Sequence, residues 1–492
     1  MRLCLPAGAE DGTISNVKVL FVAAEVAPYS KTGGLGDVAS SLPAALESLG
    51  HELTVVSPLY RQVADGGHRL HDVYPDIAVR GATTFDAFLA DDGRNWFVDY
   101  PKYFDRPGIY RQDGDEHLRF LLLSHAALEL CRRRGWSPAI VHTNDWQTGM
   151  LPLYLRSLYG ADPLFAQSRS LFTIHNLGYQ GVFGADIVDS LGLGPSRYLL
   201  HQDHLRSGRV SFMEHALMYA DAITTVSPTY SYEIQTPEHG FGLDELLRHR
   251  ARDVYGILNG IDPEVWSPAT DPHLPSHYTA SELEGKHACK KALLARAGLE
   301  ADSTLLVGMV SRLTGQKGIE IALRPLARRL EAGHLRLIVL GSGESKYEEA
   351  FRWLATTFPG RAHFANGYDE SLAHLIEAGA DVFLMPSRYE PSGLNQMYSL
   401  AYGTPPIVRK TGGLADSVVH YDPTRGEGTG FVFEHYSEEG VAWALDQALA
   451  LFGDKAQWQM LQRNGMAEDN TWEQRAREYD GLYRRMSGEE QP

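Results

Sequence analysis

Val17-Lys-Val-Leu-Phe-Val-Ala-Ala24 leads, after a short bridge, into Lys31-Thr-Gly-Gly-Leu-Gly-Asp37. The first stretch is almost continuously apolar, the pattern of a strand buried on both faces of a parallel sheet. A Gly-rich loop follows, then a helical pattern from Val38 to Leu49, with Gly50 in the position of a C-cap. Strand, loop and helix make the opening of a βαβ unit. The next strand is read at Glu52-Leu-Thr-Val-Val-Ser-Pro58, and others at Ala139–Thr143, Ser170–His175 and Ala222–Ser227. The pattern restarts at Thr304-Leu-Leu-Val-Gly-Met-Val-Ser311 and continues with Leu335–Gly341, Asp381–Pro386 and Pro405–Val408. Between the halves lies Asp262 to Tyr278, carrying Pro263, Pro268, Pro272 and Pro275, which reads as a hinge neighbourhood. The fold class expected is α/β, two doubly wound domains with a cleft between them.

Composition narrows the functions. Lys plus Arg is 45 against 62 for Asp plus Glu, a net charge of −17. A non-specific nucleic-acid or anionic-membrane binder needs a basic face, so neither partner is expected. No stretch approaches the roughly 18 uninterrupted apolar residues of a membrane span. The three cysteines, Cys4, Cys131 and Cys289, are odd in number and widely scattered, which suits reduced thiols in a cytoplasmic protein better than a disulfide framework. The N-terminal run is too short and turns acidic too soon for a signal peptide. Residues 1–16 read as an N-terminal extension and the last residues from Met486 as a frayed tail. The histidines show no metal-type spacing such as His-x3-His with carboxylates, so no catalytic metal is expected.

Four motifs could carry chemistry. In Lys31-Thr-Gly-Gly-Leu-Gly-Asp37 the glycines would let backbone amides approach an anion at a helix N-terminus. Spacing alone fits a tight turn with a solvated lysine equally well. The motif matches neither the dinucleotide fingerprint nor the Walker pattern, which weakens oxidoreductase and NTPase readings. It recurs as Lys410-Thr-Gly-Gly-Leu-Ala-Asp416, suggesting the same Gly-Gly turn facing the cleft from each domain. In Ser311-Arg-Leu-Thr-Gly-Gln-Lys-Gly318, Arg312 and Lys317 follow a strand's carboxyl end, where open α/β sheets bind ligands. A planar fork and a point charge suit a diphosphate; two solvated cations are the bland alternative. In Ser387-Arg-Tyr-Glu-Pro-Ser-Gly-Leu394, Glu390 can accept from sugar hydroxyls, and the Gly393 and Leu394 amides can face an oxyanion; otherwise Glu390 is a helix N-terminal charge. His175, ending an apolar strand, is by itself more often structural. Asp145 and Trp146 offer a carboxylate and a ring that stacks on sugars or fills a core.

Taken together these motifs resemble the bacterial glycogen synthase and plant starch synthase family. The resemblance runs from about Val17 to Arg485. It rests also on Asn144-Asp-Trp146, Thr173-Ile-His-Asn-Leu-Gly-Tyr-Gln-Gly181, Gly256-Ile-Leu-Asn-Gly-Ile-Asp-Pro-Glu-Val-Trp266 and Pro386–Gln396. It implies two Rossmann-like domains facing a deep cleft, the GT-B glycosyltransferase fold: residues 17–255 on the glucan acceptor side, 256–471 on the nucleotide-sugar side, and 472–492 packing back on the first. It implies retaining transfer of glucose from ADP-glucose to an α-1,4-glucan, with no cofactor. By this resemblance Lys31 and the backbone near Gly34 contact donor phosphate or sugar, Arg312 and Lys317 neutralise the diphosphate, His175 touches the donor glucose, and Glu390 holds its hydroxyls with help from Gly393 and Leu394. Asp145 and Asn259 line the cleft, and Gly33, Asp37 and Asn176 join the substrate-binding set. Two departures stand out. Ser392 replaces a cysteine common after the Glu-Pro pair, and Gln147 replaces a histidine common after Asp-Trp. UDP-glucose or a small sugar acceptor on the same fold, and a non-catalytic glucan-binding protein, are the competing readings. Oligomeric state is open.

Overall fold

The computed structural model describes residues 16–79, 83–111 and 113–488. The expected N-terminal extension, Cys4 and the end of the tail lie outside the described residues, apart from residue 16 and the stretch up to 488. The chain forms two compact units. Unit 1 takes the residues up to Ile174, Gly178–Ile223 and the chain from Ala476 on; unit 2 takes His175–Leu177 and Thr224–Arg475. The division falls at Ile223/Thr224, where the sequence reading places it at 255/256.

Unit 1 is built around the strand Lys18–Val22, which is parallel to Glu52–Pro58 on one side and to Ile140–Asn144 on the other. Asn95–Asp99 extends one flank and Arg169–Ile174 the other, both parallel. Numbered in chain order, these five strands run 3-2-1-4-5, and the order reverses between Lys18–Val22 and Ile140–Asn144. An antiparallel hairpin, Leu70–Val79 with Thr83–Ala90, completes that edge. The sequence reading contains none of its strands. Most of Leu70–Val79 is exposed. It carries Pro75, which sheets tolerate at edges, and its register breaks on both sides of Tyr74.

Unit 2 is a six-stranded, wholly parallel sheet. In unit numbering Leu305–Val310, Leu335–Gly341, Ala362–Asn366, Val382–Met385, Pro406–Arg409 and Phe431–Phe433 run 3-2-1-4-5-6, the Rossmann order. Side chains alternate between two cores. Leu305, Val307 and Met309 join Leu335, Leu337 and Val339 beneath the helices Ile319–Glu331, Ser345–Thr357 and Glu438–Phe452. Leu306, Ile338 and Leu340 face the helices Glu284–Ala297 and Glu370–Gly379. Each fully buried Leu, Val or Ile contributes about 1.5–3 kcal/mol. Two covered faces explain why these strands read as unbroken apolar runs.

The Pro-rich stretch read as a hinge lies inside unit 2. Leu274 and Tyr278 are part of its core and Asp271 is fully buried. Prolines stiffen this loop while its apolar side chains anchor it.

Candidate functional site

In open α/β sheets the crevice for ligands opens at the carboxyl ends of the two strands where the order reverses. In unit 2 those strands are Leu305–Val310 and Val382–Met385, which deliver Arg312 and Lys317 from one and Glu390 from the other. Lys317 Nζ donates to Glu390 Oε2 at 2.6 Å, and Ser387 Oγ donates to the same oxygen at 2.9 Å. The two loops are knitted by backbone as well: Arg388 N donates to Gln316 O at 2.8 Å, and Gln316 Nε2 to Tyr389 O at 3.3 Å. Gly318 has φ +65°, and a Cβ there would lie 2.0 Å from Pro386 O, so the turn after Lys317 needs glycine to lie this close to the Glu390 loop. Asn395 Nδ2 ties the start of the next helix to Val310 O at 2.8 Å. That helix runs Asn395–Ala401, so Gly393 and Leu394 precede it.

Lys317 and Glu390 are therefore one hydrogen-bonded ion pair of zero net charge. Glu390 is 5% exposed. Arg312 is exposed, and its guanidinium has no hydrogen bond or ion pair among the described residues. It is a cation free to meet an anion at this edge. Ser387 and Gln316 belong to the arrangement and were not singled out from sequence; their adjacency to Arg388 and Lys317 was the available signal.

The second Lys-Thr-Gly-Gly copy supports this loop from behind. Gly413 N donates to Glu390 O at 3.0 Å and to Pro391 O at 3.2 Å. Thr411 Oγ1 and Gly412 N donate to Glu233 Oε1 at 2.9 and 3.1 Å. Asp416 accepts from Thr229 N and Oγ1 at 2.8 and 2.7 Å. The expectation of the same Gly-Gly turn in each half is corrected: Gly412 sits at φ +43°, whereas Gly33 is extended at φ −155°.

In unit 1 the order reverses beside the loop after Lys18–Val22 and the end of Ile140–Asn144, which carry Lys31 and Asp145. Lys31 Nζ bonds Asp37 Oδ1 at 2.7 Å. Glu25, 2% exposed, accepts from Thr32 N at 2.5 Å, Thr32 Oγ1 at 2.8 Å and Gly33 N at 3.3 Å. Tyr110 OH donates to it as well, at 2.5 Å. A buried carboxylate thus already holds two of the amides assigned to an anion from sequence. Gly34 begins the helix Gly34–Ser48. Glu25 was missed because nothing in its neighbours marks it.

Asp145 sits at φ +54°, a region that non-glycine residues leave unless held, and strain of this kind concentrates at functional sites. Its N–H donates to Thr173 O at 3.0 Å. Trp146 packs against Phe120, Phe183 and Phe212 with centroids 5.1, 5.8 and 6.4 Å away. A Cβ on Gly181 would lie 2.3 Å from its ring. Gly181 covers that face, and Trp146 as a whole is half-buried. Gln147 and Ser392 are buried, and each has a side-chain oxygen without a hydrogen-bond partner.

His175 and Asn176 keep part of their surface toward solvent, and Asn259 is buried. Desolvation pushes the His175 imidazolium from 6.5 down to about 3. The ring is a neutral donor or acceptor at physiological pH. The unfolded chain therefore binds a proton between about pH 3 and 6.5 that the folded chain refuses, and stability falls as pH drops through that window. His175→Asn removes this contribution. Urea unfolding at stepped pH should show a flatter rise of stability with pH for the variant across that window; an unchanged slope rules the assignment out. Burial also pushes the Cys131 thiol up to about 12, leaving it unreactive.

Comparison with known proteins identifies the family. Residues 18–249 match the family model "Starch synthase catalytic domain" and residues 292–460 match "Glycosyl transferases group 1". A glycogen synthase of Anaeromyxobacter sp. (strain Fw109-5) is 48% identical over 96% of this chain and 100% of its own length. One from Myxococcus xanthus is 44% identical over 96% and 100%. The catalytic domain of starch synthase IV from Arabidopsis thaliana, bound to ADP and acarbose, superposes with a TM-score of 0.88 at 35% identity, covering 96% of this chain and 100% of that one. A sucrose-phosphate synthase from Thermosynechococcus elongatus, at 18% identity and a TM-score of 0.61, shares the fold alone. The fold is the two-unit GT-B class of glycosyltransferases, and the chain belongs to the family of bacterial glycogen synthases and plant starch synthases.

Proposed function

We propose that this chain transfers glucose from ADP-glucose to the non-reducing end of an α-1,4-glucan with retention of configuration. The observation that carries the reading is the unit 2 switch point, where the loop that brings Lys317 to Glu390 also carries an unengaged Arg312. The relative that binds ADP and acarbose supports the nucleotide and the sugar class. Breaking the bond between glucose C1 and a diphosphate builds negative charge on the leaving phosphate. Arg312 and Lys317 supply fixed positive charge, and a donor of this kind is worth roughly 3–4 kcal/mol.

Retention through a covalent intermediate needs a nucleophilic carboxylate. Glu390 Oε2 already accepts two hydrogen bonds, one of them from an ammonium, which weakens it as a nucleophile. Front-face departure and attack is the better fit, with the leaving phosphate taking the acceptor's proton and Glu390 holding sugar hydroxyls. Lys31, Gly33, Gly34, Asp37, His175, Asn176, Gly393 and Leu394 would complete the donor contacts, and Asp145 and Asn259 would serve beside them.

Initial rates with ADP-glucose and with UDP-glucose on a glycogen primer test the reading. ADP-glucose should be the better donor, and transfer to free sugars in place of glucan contradicts the acceptor. Glu390→Gln should lower kcat with little change in the KM for glycogen; a defect confined to glycogen KM places Glu390 on the wrong substrate.

A further inference from the structure

The loop Asp262–Tyr278 and the helix Glu370–Gly379, both in unit 2, bring together a second set of chemistry-bearing residues. One ligand atom each from His273, Glu370 and His374 lies within 4.8 Å of the others. Glu370 and His374 stand four residues apart, one turn along a single helix face. His273 comes from the loop.

His374 is the decisive residue. It is 2% exposed, and its Nδ1 bonds Asp271 Oδ2 at 2.7 Å. Asp271 is fully buried and is itself fixed: His273 N donates to its Oδ1 at 2.8 Å and Tyr402 OH to its Oδ2 at 2.5 Å. Trp266 stacks on the His374 ring, centroids 3.9 Å apart and planes 9° from parallel. The ring's remaining nitrogen, Nε2, is buried and has no hydrogen-bond partner. A buried ring nitrogen without a partner is costly, yet every other feature of this ring is held in place. A carboxylate fixing one imidazole nitrogen while the other points at a ligand is how proteins orient histidines for metal.

We infer that His273, Glu370 and His374 form a divalent transition-metal site of the zinc class, with Asp271 orienting His374 and solvent completing the tetrahedron. Zinc–ligand distances of about 2.0–2.1 Å place ligand atoms about 3.3 Å apart. Closing from 4.8 Å takes about 1.5 Å of movement, which the exposed His273 and Glu370 side chains can supply. The site staples the Pro-rich loop to the helix and contributes to stability. It takes no part in the transfer proposed above.

A second cluster, His201, His204 and Glu214, has comparable ligand spacing. There Arg209 lies 3.4–3.5 Å from the His204 ring nitrogens, and His201 Nδ1 already accepts from His204 N. A resident cation repels a metal, so this cluster is the control.

The test is calorimetric titration of Zn2+ into the untagged, chelator-stripped full chain, with the unfolding temperature followed in parallel. The expected result is one saturable equivalent that raises the unfolding temperature, with affinity lowered at least tenfold in His273→Ala and in Glu370→Ala and retained in His204→Ala. Both tested side chains are exposed, so these variants should fold. Absence of saturable binding, unchanged binding in the His273→Ala/Glu370→Ala double variant, or loss only in His204→Ala overturns the inference.

Discussion

Arg312→Ala should lower kcat/KM for glucosyl transfer about 100-fold or more and leave the unfolding midpoint where it was. The guanidinium is exposed and has no partner among the described residues, so the folded state loses no contact with it. A transition state that loads charge onto a departing diphosphate loses a cation that no carboxylate at that strand edge neutralises. Lys317→Ala should lose as much activity, but with a second consequence. It leaves the buried Glu390 carboxylate with Ser387 alone, and removing one partner of a buried pair costs more than the pair itself contributes. Its unfolding midpoint should therefore fall as well. Arg312→Lys keeps the charge and loses the planar fork, so it should recover only part of the rate. Transfer rates unchanged in both alanine variants would remove the diphosphate role.

The strand cores were legible because burial on two faces writes itself into sequence as an apolar run: Leu305–Val310, Leu335–Gly341 and Val382–Met385 were all found within a residue or two. Ala362–Asn366 and Phe431–Phe433 were missed because an edge strand needs fewer apolar side chains, or is only three residues long. Arg312, Lys317 and Glu390 were legible as candidates because each follows such a run. Their pairing was not. Lys317 and Glu390 are 73 residues apart and meet only because the sheet order reverses between their strands. His374 was out of reach for the same reason. Its carboxylate partner Asp271 and its neighbour His273 come from a loop about 100 residues upstream, and no local spacing announces them.

Lys-Thr-Gly-Gly is the clearest limit on what letters carry. Both copies give their Thr hydroxyl and the following Gly amide to a glutamate, Glu25 in one and Glu233 in the other. Each copy begins a helix. Sequence identity thus carries over these contacts but not the backbone at the first glycine, φ −155° at Gly33 and +43° at Gly412. It says nothing of what lies behind the turn, because that is set by which loop packs there.

That difference makes Gly412→Ala the second large effect. Gly412 has φ +43°, where a Cβ is strained, and the added atom would lie 2.0 Å from Glu390 O. The obstacle is backbone, so no side chain can swing aside. Either the unit loosens, or the Glu390 loop moves and carries the carboxylate away from Lys317. Cavity-free overpacking of this kind costs about 1–3 kcal/mol, to which the positive φ adds roughly 1 kcal/mol. At about 2–4 °C per kcal/mol the unfolding midpoint should drop by roughly 4–16 °C, with transfer activity falling beyond what the unfolded fraction explains. The matching position in the first copy gives the opposite forecast. Gly33 is extended at φ −155°, and a Cβ there meets nothing within 4 Å. Gly33→Ala should melt with the parent protein. Equal midpoints for the two variants would mean that the second turn does not brace the Glu390 loop, and the Lys317–Glu390 ion pair would need another source of its rigidity.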